Sequence, residues 1–470
     1  MSEPAHDPLD LTLAQVGGRF RAGTLTPVEL LDATLNRINR TNPVINAMAG
    51  LAGASARAAA EAAAARWAAG EPRGELDGVP VTVKDSVRTV GLPWRHGSAA
   101  HAGQPDSTVD SPPAARLKEA GAVIVGNTTM PDFGMLAAGV SSLYGITRNP
   151  WDPTRNPGGS SAGGGASLAA GIGFGSVGSD IAGSVRLPAA QCGLVSLKPT
   201  QGRVPHLPVS TMRSAGPMAR TVDEVIAVYR VISRPDPRDV WSLPAQEWDH
   251  TAGPLDPRGL RVGLLTDLGC GPAPTDRVLA AVHDAAAAFT SAGATLDTLA
   301  PPFVRDPYPA LNRLFQVRAR AEWESLAPER RSQVLPAVAD WAAEAAGRTA
   351  VQFGRDTDAV LAAQELLRAH LDGFDLVLSP VLPVVGFAAE DVGPDPARPL
   401  AHTGFTAWFN QTGQPAASLC FGMDAGCPVG VQIAGRRFSD QLVLRAARWL
   451  ESCRPFAMSW PTDLEVRAGR

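Results

Sequence analysis

Between Asn156 and Gly183 the chain runs through a tract dense in glycine, serine and alanine, with very few charges. Such a composition folds in one of two ways. It is a solvated linker, or it is backbone packed so closely that larger side chains have no room. Here Leu168, Ile172, Phe174, Val177 and Ile181 interleave the small residues, Val185 follows, and the regularity of a low-complexity linker is missing. The tract therefore reads as buried backbone wrapped tightly around a site.

The flanking segments supply layers to bury it. Thr26-Pro27-Val28-Glu29 places a capping Thr, a Pro at the first helical position and a Glu at the third, ahead of an apolar stripe through Leu30, Leu31, Leu35 and Ile38. A second, Ala-rich helix spans about 55–69 and stops at Gly70 and Pro72. Val79-Pro80-Val81-Thr82-Val83 is short and β-branched and reads as a strand with Lys84 at its C-terminal end. A helix over 113–120, a strand over 122–126, strands near 260–265, 375–378 and 429–433, and helices over 276–292 and 439–450 follow. The segment 301–373 is mostly helical. Helix and strand alternating in this way predict an α/β fold. We expect one α/β/α layered domain over 1–470, built on a mixed, largely parallel sheet covered by helices on both faces. Within it the expected parts are N-terminal helices at about 10–70, a core at about 75–230 and a variable, substrate-shaping region at about 300–410.

Composition narrows the partners. Among 470 residues, 45% are hydrophobic and 19% charged, enough to bury a core without disulfides or metals. A formal net charge of -4 gives no electrostatic reason to expect nucleic acid or an anionic membrane as partner. The five cysteines are scattered without CxxC pairing, as in a reducing compartment. Met1 to Asp10 carries no apolar h-region, and the small-residue stretch 54–69 contains Arg57, Glu61 and Arg66, so neither a signal peptide nor a membrane span is expected. Cytoplasm is the default location, and a homodimer is left open.

Three local features carry chemistry: Lys84 in Val83-Lys84-Asp85, the run Gly158-Gly159-Ser160-Ser161-Ala162-Gly163-Gly164, and Ser179-Asp180-Ile181-Ala182-Gly183-Ser184-Val185-Arg186. Each alone is ordinary, since lysines at strand ends are commonly solvated and loop serines commonly serve turns. Together, with Ser160 and Ser184 24 residues apart, they resemble the amidase signature family. Asn149-Pro150-Trp151, Pro188, Cys192-Gly193-Leu194 and Leu197-Lys198-Pro199-Thr200 add to the likeness, and weaker matches reach Gly413–Ala416 and Gly430–Ile433. The resemblance covers nearly the whole chain.

It implies a catalytic triad with Ser184 as nucleophile, Ser160 as bridging serine behind a cis peptide bond, and Lys84 as base. The logic holds independently: a serine hydroxyl needs its proton removed, and a lysine removes it only when neutral, which burial favours. The resemblance also implies an oxyanion hole from the N–H groups of Ile181, Ala182, Gly183 and Ser184, and an acyl pocket at Gly134. Asp180, Arg186 and Ser161 are expected to support these loops. Two departures from the family pattern stand at Ala182 and Ala162, where glycine is usual. A methyl at Ala182 requires a negative φ there. No cofactor and no metal are required.

Other readings are weaker. Gly171-Ile172-Gly173-Phe174-Gly175 lacks nucleotide-loop spacing, and the eight histidines show no HExxH or HxH pattern. His96 reads better as a satisfied loop histidine than as a substrate contact. The expected activity is hydrolysis of linear small-molecule amides, with aryl amides, esters and carbamates within chemical reach. The alternative is the glutamine-hydrolysing component of a tRNA-dependent amidotransferase complex. Phe405, Trp408 and Phe409 read equally as core or as an apolar leaving-group side.

Overall fold

The small-residue tract folds into a helix, Ala162–Ala169, and a strand, Gly175–Asp180, and every residue of both is buried. Leu168 and Ala169 pack with Val185, Ala189, Cys192, Leu194 and Met218 in a cluster of their own. Backbone approaches backbone here because side chains are nearly absent. The linker reading fails.

The computed structural model describes residues 7–249 and 253–464. Its strands in chain order are β1 (Met48–Leu51), β2 (Pro80–Lys84), β3 (Val123–Thr128), β4 (Val140–Ser141), β5 (Gly145–Ile146), β6 (Gly175–Asp180) and β7 (Val195–Lys198). They continue as β8 (Ser214–Ala219), β9 (Arg261–Leu264), β10 (Thr295–Thr298), β11 (Leu376–Pro380), β12 (Ala416–Asp424) and β13 (Cys427–Gly435). Apart from the small β4–β5 pair, they form one sheet of 11 strands in the order β1-β3-β2-β6-β8-β7-β12-β13-β11-β9-β10. The sheet is mixed and flanked by helices. Parallel pairing occupies two blocks, β3–β2–β6 and β11–β9–β10, on either side of an antiparallel centre.

Local signals explain the first helices. Thr26 and Glu29 close the expected capping box on the helix Pro27–Ile45. The Ala-rich helix spans Gly53–Ala68 and buries Ala56, Ala60 and Ala63. The segment 300–410 supplies the helices Tyr308–Ser325, Pro336–Ala343 and Ala350–His370. The short strands β1, β7, β8 and β10 escape the sequence patterns, being brief and poor in period-two alternation. All five cysteines are free. Among the described residues, no helix is long and apolar enough to cross a membrane.

Two features of the sheet position the site. Parallel pairing sets Val83 of β2 against Val177 of β6, so the C-terminal ends of both strands finish side by side. Lys84 ends one, and Ser179 and Asp180 end the other. The chain following β6 then turns sharply through Ile181–Val185 into the helix Arg186–Cys192.

Candidate active site

Lys84 is only 1% exposed, walled in by a strand whose five residues are all buried. Its Nζ lies 2.8 Å from Ser160 Oγ and 3.3 Å from Ser179 Oγ, donating to both. Ser179 Oγ in turn lies 3.2 Å from Ser86 Oγ. Burial is the main reason the lysine's pKa falls to about 7, and the Arg213 guanidinium pushes it the same way; Asp180 and Asp85 oppose them. A large share of the amine is therefore neutral near pH 7.

The next residue, Asp85, is a clasp. Its carboxylate accepts from the Arg95 and Gly97 N–H groups, both at 2.9 Å, and from the Tyr144 hydroxyl at 3.0 Å. This draws the 95–97 loop over the site. His96 on that loop stacks on Trp94, with ring centroids 5.4 Å apart, and lines the cavity beside Ser160. Burial first, then Arg213, holds it neutral with a pKa near 3.

The serine loops are tied to each other. The Gly159–Ser160 peptide bond is cis. The Ser161 N–H donates to the Ser184 carbonyl at 3.1 Å, which links the loops through their backbones. Ser161 Oγ itself is buried without a partner. Ser184 Oγ makes no hydrogen bond among the described residues and faces the cavity.

Asp180 organises the turn that carries Ser184. Its Oδ1 accepts from the Gly183 N–H at 2.7 Å, and its Oδ2 from the Val185 N–H at 3.2 Å. Arg186 donates to it through Nε at 3.0 Å and Nη2 at 2.8 Å, and Asn410 Nδ2 adds a bond at 3.0 Å. Burial pushes this carboxyl's pKa up, but Arg186 outweighs it and leaves the value at about 2. Arg186 reaches onward to the Thr406 carbonyl and to Gln432 Oε1, and Thr406 Oγ1 donates to the Ala182 carbonyl at 2.6 Å. Gly183 has φ +117°, and a Cβ there would stand 2.3 Å from Thr406 Oγ1, so only glycine fits.

Of the four N–H groups that the resemblance implies for an oxyanion hole, that of Gly183 is donated to Asp180. The N–H groups of Ile181, Ala182 and Ser184 have no acceptor among the described residues. Ala182 avoids positive φ, which meets the condition its methyl imposes.

The cavity has two lobes that meet at Ser184. One is apolar, walled by Leu136, Phe315, Trp341 and Leu400, with Ile181 and Ala182 at its edge. The other is the more polar of the two, where Ser160, Ser179, His96, Arg213, Arg318 and Glu322 join Met130, Phe133 and Met135. Gly134 lines both, with φ +70°; a Cβ there would press to 3.3 Å from Ser160 Oγ. The three aromatic residues Phe405, Trp408 and Phe409 are core. Trp408 is 1% exposed and packs on Phe303 at a centroid distance of 5.0 Å. They face away because the helix Gly404–Gln411 turns Thr406 and Asn410 to the site instead.

Sequence reasoning missed Ser179, Arg213, Arg318, Phe315 and Trp341. Ser179 had a signal, since it ends a strand paired to the one that bears Lys84. The others come from distant segments and carry none.

Comparison with known proteins agrees with this geometry. The family model described as Amidase matches residues 29–444, and the chain belongs to that family, whose enzymes hydrolyse amide C–N bonds. It is 36% identical to the A component of the glutamyl-tRNA(Gln) amidotransferase of Anaeromyxobacter dehalogenans (strain 2CP-C), over 96% of this chain and 98% of that one. It is 32% identical to an acylamidase of Rhodococcus erythropolis, over 97% of this chain and 98% of that one. In structure it is similar to a bacterial aryl acylamidase of the amidase signature family, with a TM-score of 0.89 and 26% identity over 97% of this chain and 99% of the other.

Proposed function

We propose that this protein hydrolyses small-molecule amides through an acyl-enzyme on Ser184, with neutral Lys84 as the base acting through Ser160. One observation carries the reading: a buried lysine amine 2.8 Å from Ser160 Oγ, at the end of the strand beside the nucleophile's turn. A neutral amine has one lone pair and two N–H groups. It accepts the Ser160 proton while donating to Ser179.

Ser184 Oγ attacks the acyl carbon as its proton passes to Ser160 and the Ser160 proton passes to Lys84. The oxygen that becomes negative is met by the N–H groups of Ile181, Ala182 and Ser184; one such donor is worth about 3 kcal/mol in the transition state. The C–N bond then breaks, and the proton returns from Lys84 through Ser160 to the leaving nitrogen. Water repeats the relay on the acyl-enzyme, releasing the carboxylic acid and restoring the Ser184 hydroxyl. Esters and carbamates present the same carbonyl to the same groups.

The apolar lobe favours a hydrocarbon acyl group. The alternative, glutamine hydrolysis within an amidotransferase complex, has the likeness to the Anaeromyxobacter amidotransferase chain in its favour. Yet glutamine would bring its charged amino-acid head on the acyl side, and the walls there are Phe315, Trp341 and Leu400.

The test is covalent trapping. An active-site-directed sulfonyl fluoride followed by peptide mapping is expected to mark Ser184 and to leave Ser184→Ala unmarked. An adduct elsewhere, or turnover of amides by Ser184→Ala, would refute the assignment.

A further inference from the structure

The polar lobe holds two guanidinium groups that the protein leaves largely unpaired. Arg213 and Arg318 both face the cavity beside Ser160 and Ser184. Arg213 donates from Nη2 to the Pro208 carbonyl at 2.5 Å, while its Nε and that of Arg318 are buried without any acceptor. Neither enters an ion pair among the described residues. The two are close enough for Arg318 to lower the proton affinity of Arg213, second only to burial. Glu322, one helical turn beyond Arg318, is the only carboxylate lining this lobe among the described residues. Two guanidinium groups against one carboxylate leave this half-buried wall net positive, which suits it to an anion.

The side of the substrate that meets them follows from the proton path. The leaving nitrogen must receive its proton from Ser160, and Ser160 lines the polar lobe but not the apolar one. The leaving amine therefore departs past Arg213 and Arg318, while the acyl group sits among Phe315, Trp341 and Leu400.

We propose that Arg213 and Arg318 form a carboxylate-binding subsite for the leaving amine, so that the preferred substrates are N-acyl amino carboxylates with an apolar acyl group. This deepens the hydrolase reading above and rests on it. A guanidinium offers planar paired donors that match a carboxylate, which fits this ligand better than a bare cation would.

The test is a pair of isosteric amides, N-butyryl-4-aminobenzoate and N-butyryl-4-aminobenzamide, with liberated arylamine followed by chromatography. The enzyme is expected to favour the benzoate in kcat/KM by about tenfold to a hundredfold. Arg318→Gln and Arg213→Gln are each expected to bring that ratio toward one, and Glu322→Gln to raise it. The ratio within each variant cancels any general loss of activity. Equal or faster cleavage of the benzamide by the unmodified enzyme overturns the subsite alone, as does a preference that survives both arginine replacements. Rapid hydrolysis of free glutamine with both butyryl amides untouched places the anion on the acyl side and overturns it too. Cleavage of no amide at all sinks the hydrolase reading and the subsite with it.

Discussion

Ser179 Oγ lies 3.3 Å from the amine of Lys84 and 3.2 Å from Ser86 Oγ. The lysine thus has two hydroxyl neighbours, of which Ser160 is the proposed link to Ser184. In the proposed relay Ser179 keeps accepting from the amine while Ser160 passes its proton to it. Ser179→Ala is expected to lower kcat by about tenfold, the scale of one buried hydrogen bond, with KM little changed. Steady-state kinetics on a chromogenic anilide checks this; a change confined to KM would place Ser179 in substrate binding instead.

Arg213 acts on the Lys84 amine from a distance. After burial, its charge is the largest influence lowering the Lys84 pKa. Removing a positive neighbour makes protonation of the lysine easier, so its pKa rises. In Arg213→Gln the acid limb of kcat/KM is expected to move to higher pH, measured on a neutral amide to exclude effects on an anionic substrate. A limb that stays in place or moves down contradicts this.

Asp180 and Arg186 are both fully buried and joined by two hydrogen bonds. Asp180→Ala would leave Arg186 charged and unpaired and would free the Gly183 and Val185 N–H groups. The expected cost is about 3–5 kcal/mol of stability, together with loss of activity. Denaturant unfolding of the variant beside the parent protein measures it.

Gly134 offers a way to separate fold from chemistry. A side chain at φ +70° costs about 1–2 kcal/mol by itself, and its Cβ would press on Ser160 Oγ at 3.3 Å. Gly134→Ala is expected to melt only a few degrees lower but to lose activity about a hundredfold, because Ser160 shifts off the relay. Thermal melting and kinetics on the same sample decide between displacement of Ser160 and general unfolding.

The reach of the sequence followed the distance between residues. Lys84, Ser160 and Ser184 sit in local patterns that are ordinary one by one and legible only through their joint resemblance to the amidase signature family, and Asp180 and Arg186 fall in the same short segment as Ser184. What lay outside was set by packing between remote segments. Arg213 and Arg318 meet only because the loop before β8 and the helix Tyr308–Ser325 converge on one cleft. Asn410 and Thr406 support the turn from more than 200 residues away. The antiparallel centre of the sheet was legible only at β13; β7, β8 and β12 carry no clean alternation and look like loops until neighbours pair with them. The position of the aromatic residues near Trp408 depended on the rotation of one helix, which its apolar pattern left ambiguous.

The most direct check is the pH dependence of kcat/KM for a neutral, non-ionising amide. Activity is expected to rise with pH through a single ionisation at about 7, as Lys84 loses its proton, and to hold a plateau above it. Full activity persisting to pH 5, or a rise delayed to the ordinary lysine range near about 10.4, would contradict a neutral Lys84 as the base.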